Sequence, residues 1–349
     1  MTNQEKLALS NALMNRLEEI TPQIYHYFGI LSLLGALKTY EVSKNADDLA
    51  RCISHLDKFP DKIKHTTYTF QSYHIGGIAR AYALFKGYMD DERTVSLVRE
   101  YGEELMYKAP RDRNGIVKGP GFKTREVVWI DNAMAVTPFL LYAGLALNEP
   151  TWVDEAVKQT VMMYDVFRDP SNGLLHQTRG EIAAGVMTDD YWGRGNGWGF
   201  IALTELIQYL PADHPQRLQV EEYFGQHAYA MLKYQTKKYV WRQELDDKSA
   251  YEEASATGLI LYGYGVGLRL RLLNNKVFAE SYRNGIDAMC KLFISNKYDV
   301  LNVCPGCRTP GYGPEAGTKS AYATCMPVTN DLHGFAPLQL ALAEAALTV

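Results

Sequence analysis

The chain carries no basic tract or stripe. Lys and Arg total 36 against 40 Asp and Glu, a net charge of −4. That balance excludes wrapping a nucleic acid or another long polyanion, though a few placed cations can still grip one small acidic group. Long apolar runs are also missing. The longest, Ala133 to Leu147, is interrupted by Thr137 and Pro138 and is too short to span a bilayer. The opening MTNQEKLALSNALMNRLEEI has no basic start, no apolar core and no small-residue cleavage site, so no secretory signal is expected. Cysteine is scarce. Five of them, an odd number, point to reduced thiols and a cytoplasmic location. Cys304 and Cys307 form a CxxC, and Cys325 follows, but a zinc site needs a fourth ligand and His333 is the one nearby histidine. Free thiols in a loop are therefore expected, and no metal. Linkers, charge blocks and low-complexity segments are absent too, and 47% apolar with 22% charged residues excludes wholesale disorder.

What is abundant is aromatic: 24 Tyr, 12 Phe and 5 Trp. Such rings suit a sugar-binding cleft, because they stack on C–H faces while offering polar edges; they equally fill helix interfaces. A helical unit also recurs. Small residues begin it, long apolar ones continue it, and a more charged helix follows a polar break. Its starts are Gly29, Gly76, Asp131, Gly195, Ala254 and His333, spaced 47 to 79 residues apart, the mark of stacked supersecondary units. The first helix of each pair is apolar nearly all round and reads as buried; the second is charged on one face and reads as outer. The sixth unit lacks an outer partner, and the amphipathic stretch 4–20 supplies one from the other end of the chain. The pattern predicts an all-α, six-hairpin toroid, an (α/α)6 barrel, as one domain over 1–349 with helix 4–20 closing the ring. Four aromatic and polar connections, Lys108–Ile130, Phe167–Arg194, Tyr234–Ser255 and Lys297–Leu332, should line one mouth.

The strongest local motif is Trp192-Gly193-Arg194-Gly195-Asn196-Gly197-Trp198. Its glycines allow sharp turns and close approach to a ligand, and two indoles flank a guanidinium suited to a carboxylate. The same motif also reads as a Gly-rich helix entry with packed indoles. Asp131, in VVWIDNAMAVTPFL, stands at the start of the most apolar inner helix, either a first-turn acid or a functional one. Asp189, Asp190, Glu252 and Glu253 also precede helices, where acids commonly meet the dipole. His176 follows a turn signal in DPSNGLLHQ.

The succession WIDNAMAVTPFL, DPSNGLLHQ, WGRGNGW and NDLHGFAPLQLALAEA resembles the unsaturated glucuronyl and rhamnogalacturonyl hydrolases of glycoside hydrolase families 88 and 105, closer to 105. The likeness runs from Tyr25 to the C-terminus. It implies the same barrel and an enzyme that removes the terminal 4,5-unsaturated uronic acid from oligosaccharides made by polysaccharide lyases. The implied reaction is hydration of the C4=C5 bond: an aspartic acid protonates C4, its carboxylate deprotonates water for addition at C5, and the hemiketal rearranges to release the sugar. One carboxyl serves as acid and then base. By this resemblance Asp131 is the catalytic acid. His176, Trp192, Arg194, Trp198, Tyr27 and His74 are substrate-binding, and no cofactor is needed. Gln71, Ser72 and His74 stand where the family usually has a second aspartate, and HQTRGEI lacks the acidic, Trp-containing stretch that often follows the histidine. Binding at the terminal sugar should therefore differ. Alternatives are an (α/α)6 sugar 2-epimerase, an inverting glycosidase pairing Asp131 with Asp190 or Glu253, and an inactive sugar-binding homologue. The expected partner is an unsaturated uronate oligosaccharide of rhamnogalacturonan, glycosaminoglycan, ulvan or arabinogalactan origin, with no nucleic acid or membrane, and the protein a monomer or homodimer.

Overall fold

The computed structural model describes residues 1–21, 24–59, 75–118, 125–306, 318–320 and 324–348. Among these, twelve α-helices alternate between two layers. The inner helices are α2 (Tyr27–Ser43), α4 (Gly77–Phe85), α6 (Asp131–Leu147), α8 (Gly193–Tyr209), α10 (Ala254–Arg269) and α12 (Phe335–Leu347). Each packs on the next, and α12 returns to α2, so the six form a closed ring. Outside lie α3 (Ala46–Asp57), α5 (Glu92–Tyr107), α7 (Pro150–Phe167), α9 (Arg217–Leu232), α11 (Asn275–Phe293) and α1 (Asn3–Ile20), the last against α12 and α2. This is the (α/α)6 toroid that the repeat pattern predicts.

Local chemistry explains the elements. Helix α1 starts on a capping box: Glu5 N donates to Thr2 Oγ1 at 3.2 Å, and Thr2 N donates to Glu5 Oε2 at 2.7 Å. Its buried Ser10, Leu13, Met14 and Leu17 share one face by helical spacing. Helix α6 is buried from Asp131 through Gly144 and runs past Pro138 without a break. A proline inside a helix costs about 3 kcal/mol; packing on α4, α5, α7 and α8 offsets it. The inner helices approach α12 closely. A Cβ at Gly258 of α10 would lie 2.6 Å from the Pro337 carbonyl carbon, and one at Gly35 of α2 would lie 2.9 Å from Gln339 Cβ.

The loops before the inner helices are stitched together at one mouth. Strand β1 (Val128–Trp129) pairs antiparallel with β2 (Thr178–Arg179), with Trp129 opposite Thr178. Trp192 bridges Glu244, and Ala254 N donates to Asn302 O at 3.1 Å. Toward the other end, Lys38 and Glu205 form a buried ion pair at 3.0 Å, and Tyr142 and Tyr262 donate to the same carboxylate. Among the described residues, no helix is long and apolar enough to cross a membrane.

Candidate active site

The inner helices bring their N-terminal residues to the stitched mouth: Tyr27, Asp131, Arg194 and Ser255, with His333 just ahead of α12. Helix N-termini carry partial positive charge, so this end favours an anion.

Asp131 is the first residue of α6, fixed by the Ile130 N–H bonded to Gln177 O at 2.9 Å. Its side chain is 9% exposed, and Oδ2 is buried with no hydrogen-bond partner among the described residues. Burial pushes its pKa up to about 6, against the pull of the Arg194 guanidinium and its own backbone amide. Near neutrality this carboxyl is therefore divided between acid and base. Beside it in sequence, Trp129 donates from Nε1 to Glu181 Oε2 at 3.4 Å.

Arg194 is wholly buried, and its guanidinium lies 4.6 Å over the Trp192 ring. Nη1 donates to Cys304 O at 2.7 Å and Ser255 Oγ at 3.2 Å; Nη2 donates to Pro305 O at 3.3 Å. The fork expected to hold a ligand is thus committed to protein oxygens, which leaves Nε, buried and without a partner among the described residues. Burial works against its charge, but Cys304, Glu253, Tyr27 and Asp331 outweigh this and hold the pKa above the ordinary value. The indoles also differ from exposed platforms: Trp192 is 1% and Trp198 2% exposed.

The glycines of this motif do another job than sharp turning. Residues 193–198 are the opening turns of α8, and Gly193, Gly195 and Gly197 are not among the positive-φ residues. A Cβ at Gly193 would meet Arg242 O at 2.5 Å, so this glycine lets the neighbouring loop close on the helix. Asn196 holds the next loop, donating to Leu175 O at 3.0 Å and accepting from Leu175 N at 2.8 Å. That loop presents His176, whose Nε2 lies 3.8 Å from Asp169 Oδ2 and whose ring centre is 5.0 Å from that of Tyr191. Burial lowers the His176 pKa, so the imidazole is uncharged at neutral pH.

Two acids named by the sequence separate cleanly. Glu253 is a buried cap on α10, accepting from Ser255 N at 3.0 Å, Ala256 N at 2.7 Å, Cys304 N at 2.9 Å and Ser255 Oγ at 2.8 Å. A carboxylate so occupied cannot activate water, which removes it as the base of an inverting glycosidase. Asp190 is fully buried and pushed up to about 7 by burial. Glu244 beside it is raised by burial and by Asp190, so the pair retains a proton near neutrality.

A constellation the sequence analysis named only in pieces joins α2 to the start of α12. The Tyr27 hydroxyl meets His333 Nε2, and His333 Nδ1 lies 2.5 Å from Asp331 Oδ1. Its only sequence signal is NDLHG; nothing local links that segment to Tyr27. His74, Gln71, Ser72 and Cys307 lie outside the described residues. Among the described residues no cluster of His, Cys, Asp and Glu could hold a metal ion, and no disulfide joins the described cysteines.

The geometry is that of an acid–base site with a fixed internal cation. An unsaturated rhamnogalacturonyl hydrolase, YesR of Bacillus subtilis (strain 168), is 25% identical over 171 residues, covering 48% of this chain and 50% of that protein. An unsaturated 3S-rhamnoglycuronyl hydrolase of Formosa agariphila is 22% identical over 231 residues, 62% of this chain and 61% of that protein. The matches thus span between half and two thirds of these relatives. In structure, a family 105 glycoside hydrolase of C. acetobutylicum ATCC 824 superposes with a TM-score of 0.84 at 21% identity, covering 97% of this chain and 99% of that one, and so shares the fold. The profile of Glycosyl Hydrolase Family 88 matches residues 8–348, nearly the whole chain, and the protein belongs to that family.

Proposed function

We propose that this glycoside hydrolase removes a terminal 4,5-unsaturated uronic acid by hydrating its C4=C5 bond. The observation that carries the reading is Asp131: a buried carboxyl with a pKa of about 6 and an Oδ2 with no partner among the described residues, in a mouth biased toward anions. Protonated Asp131 delivers its hydrogen to C4, and positive charge develops at C5 and the ring oxygen. The carboxylate it becomes then takes a proton from water as the water oxygen bonds to C5. The hemiketal opens, the glycosidic bond breaks, and Asp131 is again protonated. Arg194 acts on the uronate through its charge and Nε. His176 orients the sugar or the water as an uncharged imidazole, and Tyr27 borders the ring. Trp192 and Trp198 shape the cleft from beneath by fixing Arg194 and α8, and His74 is proposed as a further contact. Residues 1–349 work as one catalytic unit with α1 as the sixth outer helix, as a monomer or homodimer in the cytoplasm. The chemistry calls for no cofactor.

Both curated relatives bear rhamnose-linked uronates in their names, so lyase digests of rhamnose-containing polysaccharides come first in a substrate panel. The test follows loss of the ultraviolet absorbance of the conjugated uronate. The wild type should remove it, and Asp131→Asn should slow the loss by at least about a hundredfold with an unchanged circular dichroism spectrum. A full rate in Asp131→Asn would refute the assignment, and a borohydride-stable isomerised product would favour the epimerase.

A further inference from the structure

A helix start needs an acceptor for its exposed amides, and Asn, Asp, Ser and Thr are the preferred residues. Helix α10 uses Glu253 instead. The Glu253 backbone is pinned: its N–H donates to Trp241 O at 2.8 Å, and its carbonyl accepts from Thr257 Oγ1 at 2.7 Å. Its buried side chain accepts from Ser255 N and Ala256 N, as a cap does. The longer glutamate arm also takes two donors that a cap does not need. Cys304 N donates to Oε1 at 2.9 Å, and the Ser255 hydroxyl lies 2.8 Å from both carboxylate oxygens.

Both of these donors lead to Arg194. A guanidinium and a peptide N–H can only donate, so the direction of each bond is fixed. Ser255 Oγ accepts from Arg194 Nη1 at 3.2 Å, and its own hydrogen goes to Glu253. The Cys304 carbonyl accepts from Nη1 at 2.7 Å while its N–H goes to Glu253. One carboxylate therefore orients both oxygens that hold Nη1. Arg194, Glu253, Ser255 and Cys304 are all wholly buried, and a buried charge needs a buried partner. Burial opposes the Arg194 cation; Cys304, Glu253, Tyr27 and Asp331 favour it, and His333 feels its charge. At Asp131, where burial raises the pKa, the Arg194 charge and the residue's own amide pull it back.

We propose that Glu253 is a positioning residue: through Ser255 and Cys304 it holds the Arg194 guanidinium and balances part of its charge, and so limits how strongly that cation acts on Asp131. This deepens the hydrolase reading and rests on it.

The test has two arms, and the first needs no substrate. Carbon-13 NMR of aspartate-labelled protein follows the Asp131 carboxyl, assigned by its loss in Asp131→Asn. In Glu253→Gln the cation is less balanced and favours the Asp131 anion, so the titration should move down by roughly half to one pH unit. Ser255→Ala removes no charge and leaves the backbone caps, yet it cuts one link to Arg194. It should move the titration the same way by less, and it decides the matter if Glu253→Gln fails to fold. Glu253→Asp keeps the charge and should stay near wild type. An unmoved or raised titration in Glu253→Gln or Ser255→Ala, or an Asp variant displaced as far as Gln, would overturn the proposal. The second arm is the pH profile of kcat/KM on a lyase-generated disaccharide. Protonated Asp131 is the active form, so the rate should begin to fall at lower pH in Glu253→Gln. That variant should lose roughly threefold more at pH ~7 than at pH ~5. A loss equal at every pH would mark a cap that only supports the fold, and would overturn the proposal. A wild type inert on every digest, with the Asp131 titration still displaced in Glu253→Gln, would overturn the hydrolase reading and leave the coupling of Glu253 to Asp131 standing.

Discussion

A carboxyl in the first turn of a helix ordinarily favours its anion, because the helix end is positive. Asp131 has that position and yet titrates high, because burial outweighs the dipole, its own amide and the Arg194 charge. Function and stability then pull apart. The folded pKa is about 6 against an ordinary 3.8, so between these values the folded chain holds a proton that the unfolded chain releases. Stability is lost as pH rises through that window, by on the order of 2–3 kcal/mol once both states are ionised. Asp131→Asn, whatever it does to the rate, should therefore melt higher than wild type at neutral pH, and the two should converge at or below pH ~4. Thermal unfolding at both pH values checks this; equal melting temperatures at neutral pH would show that burial does not strain the wild-type carboxylate.

At the scale of the element, close approach decides what the inner helices carry. Gly258 faces the Pro337 backbone across the α10–α12 contact, with no flexible side chain to yield. Gly258→Ala should cost about 1–3 kcal/mol through overpacking, read as a lowered urea midpoint, and an unchanged midpoint would mean that the helices can separate freely. The helices themselves were legible from sequence, because an inner helix must be apolar all round. Asp131 and Ala254 begin helices where the pattern places them. Other edges shift: α2 begins at Tyr27 ahead of Gly29, and α12 at Phe335 behind the Asp331-capped turn. The roles of small residues were less legible. WGRGNGW suggested backbone turns toward a ligand, whereas its glycines serve packing, since composition cannot tell a glycine needed for φ from one needed for space. Glu253 read as a dipole partner at a helix start and is a buried cap that also accepts from Cys304 N, which arrives from another loop.

The whole molecule separates support from chemistry. The closed ring of inner helices fixes where their N-termini sit, and loops joined across the mouth fix what those ends display. Arg194 ties the second connection to the fourth through Cys304 and Pro305. Tyr27 and His333 meet across 306 residues of sequence, a contact that ring closure creates and that no local pattern could announce. The central claim is that the proton given by Asp131 goes to a ring carbon and that water attacks C5. The most direct measurement is turnover in deuterium oxide and, separately, in heavy-oxygen water, with the released uronate examined by NMR and mass spectrometry. Deuterium at C4 and the new oxygen at C5 are expected. A released sugar that keeps its C4=C5 bond and carries the heavy oxygen at C1 would contradict the account.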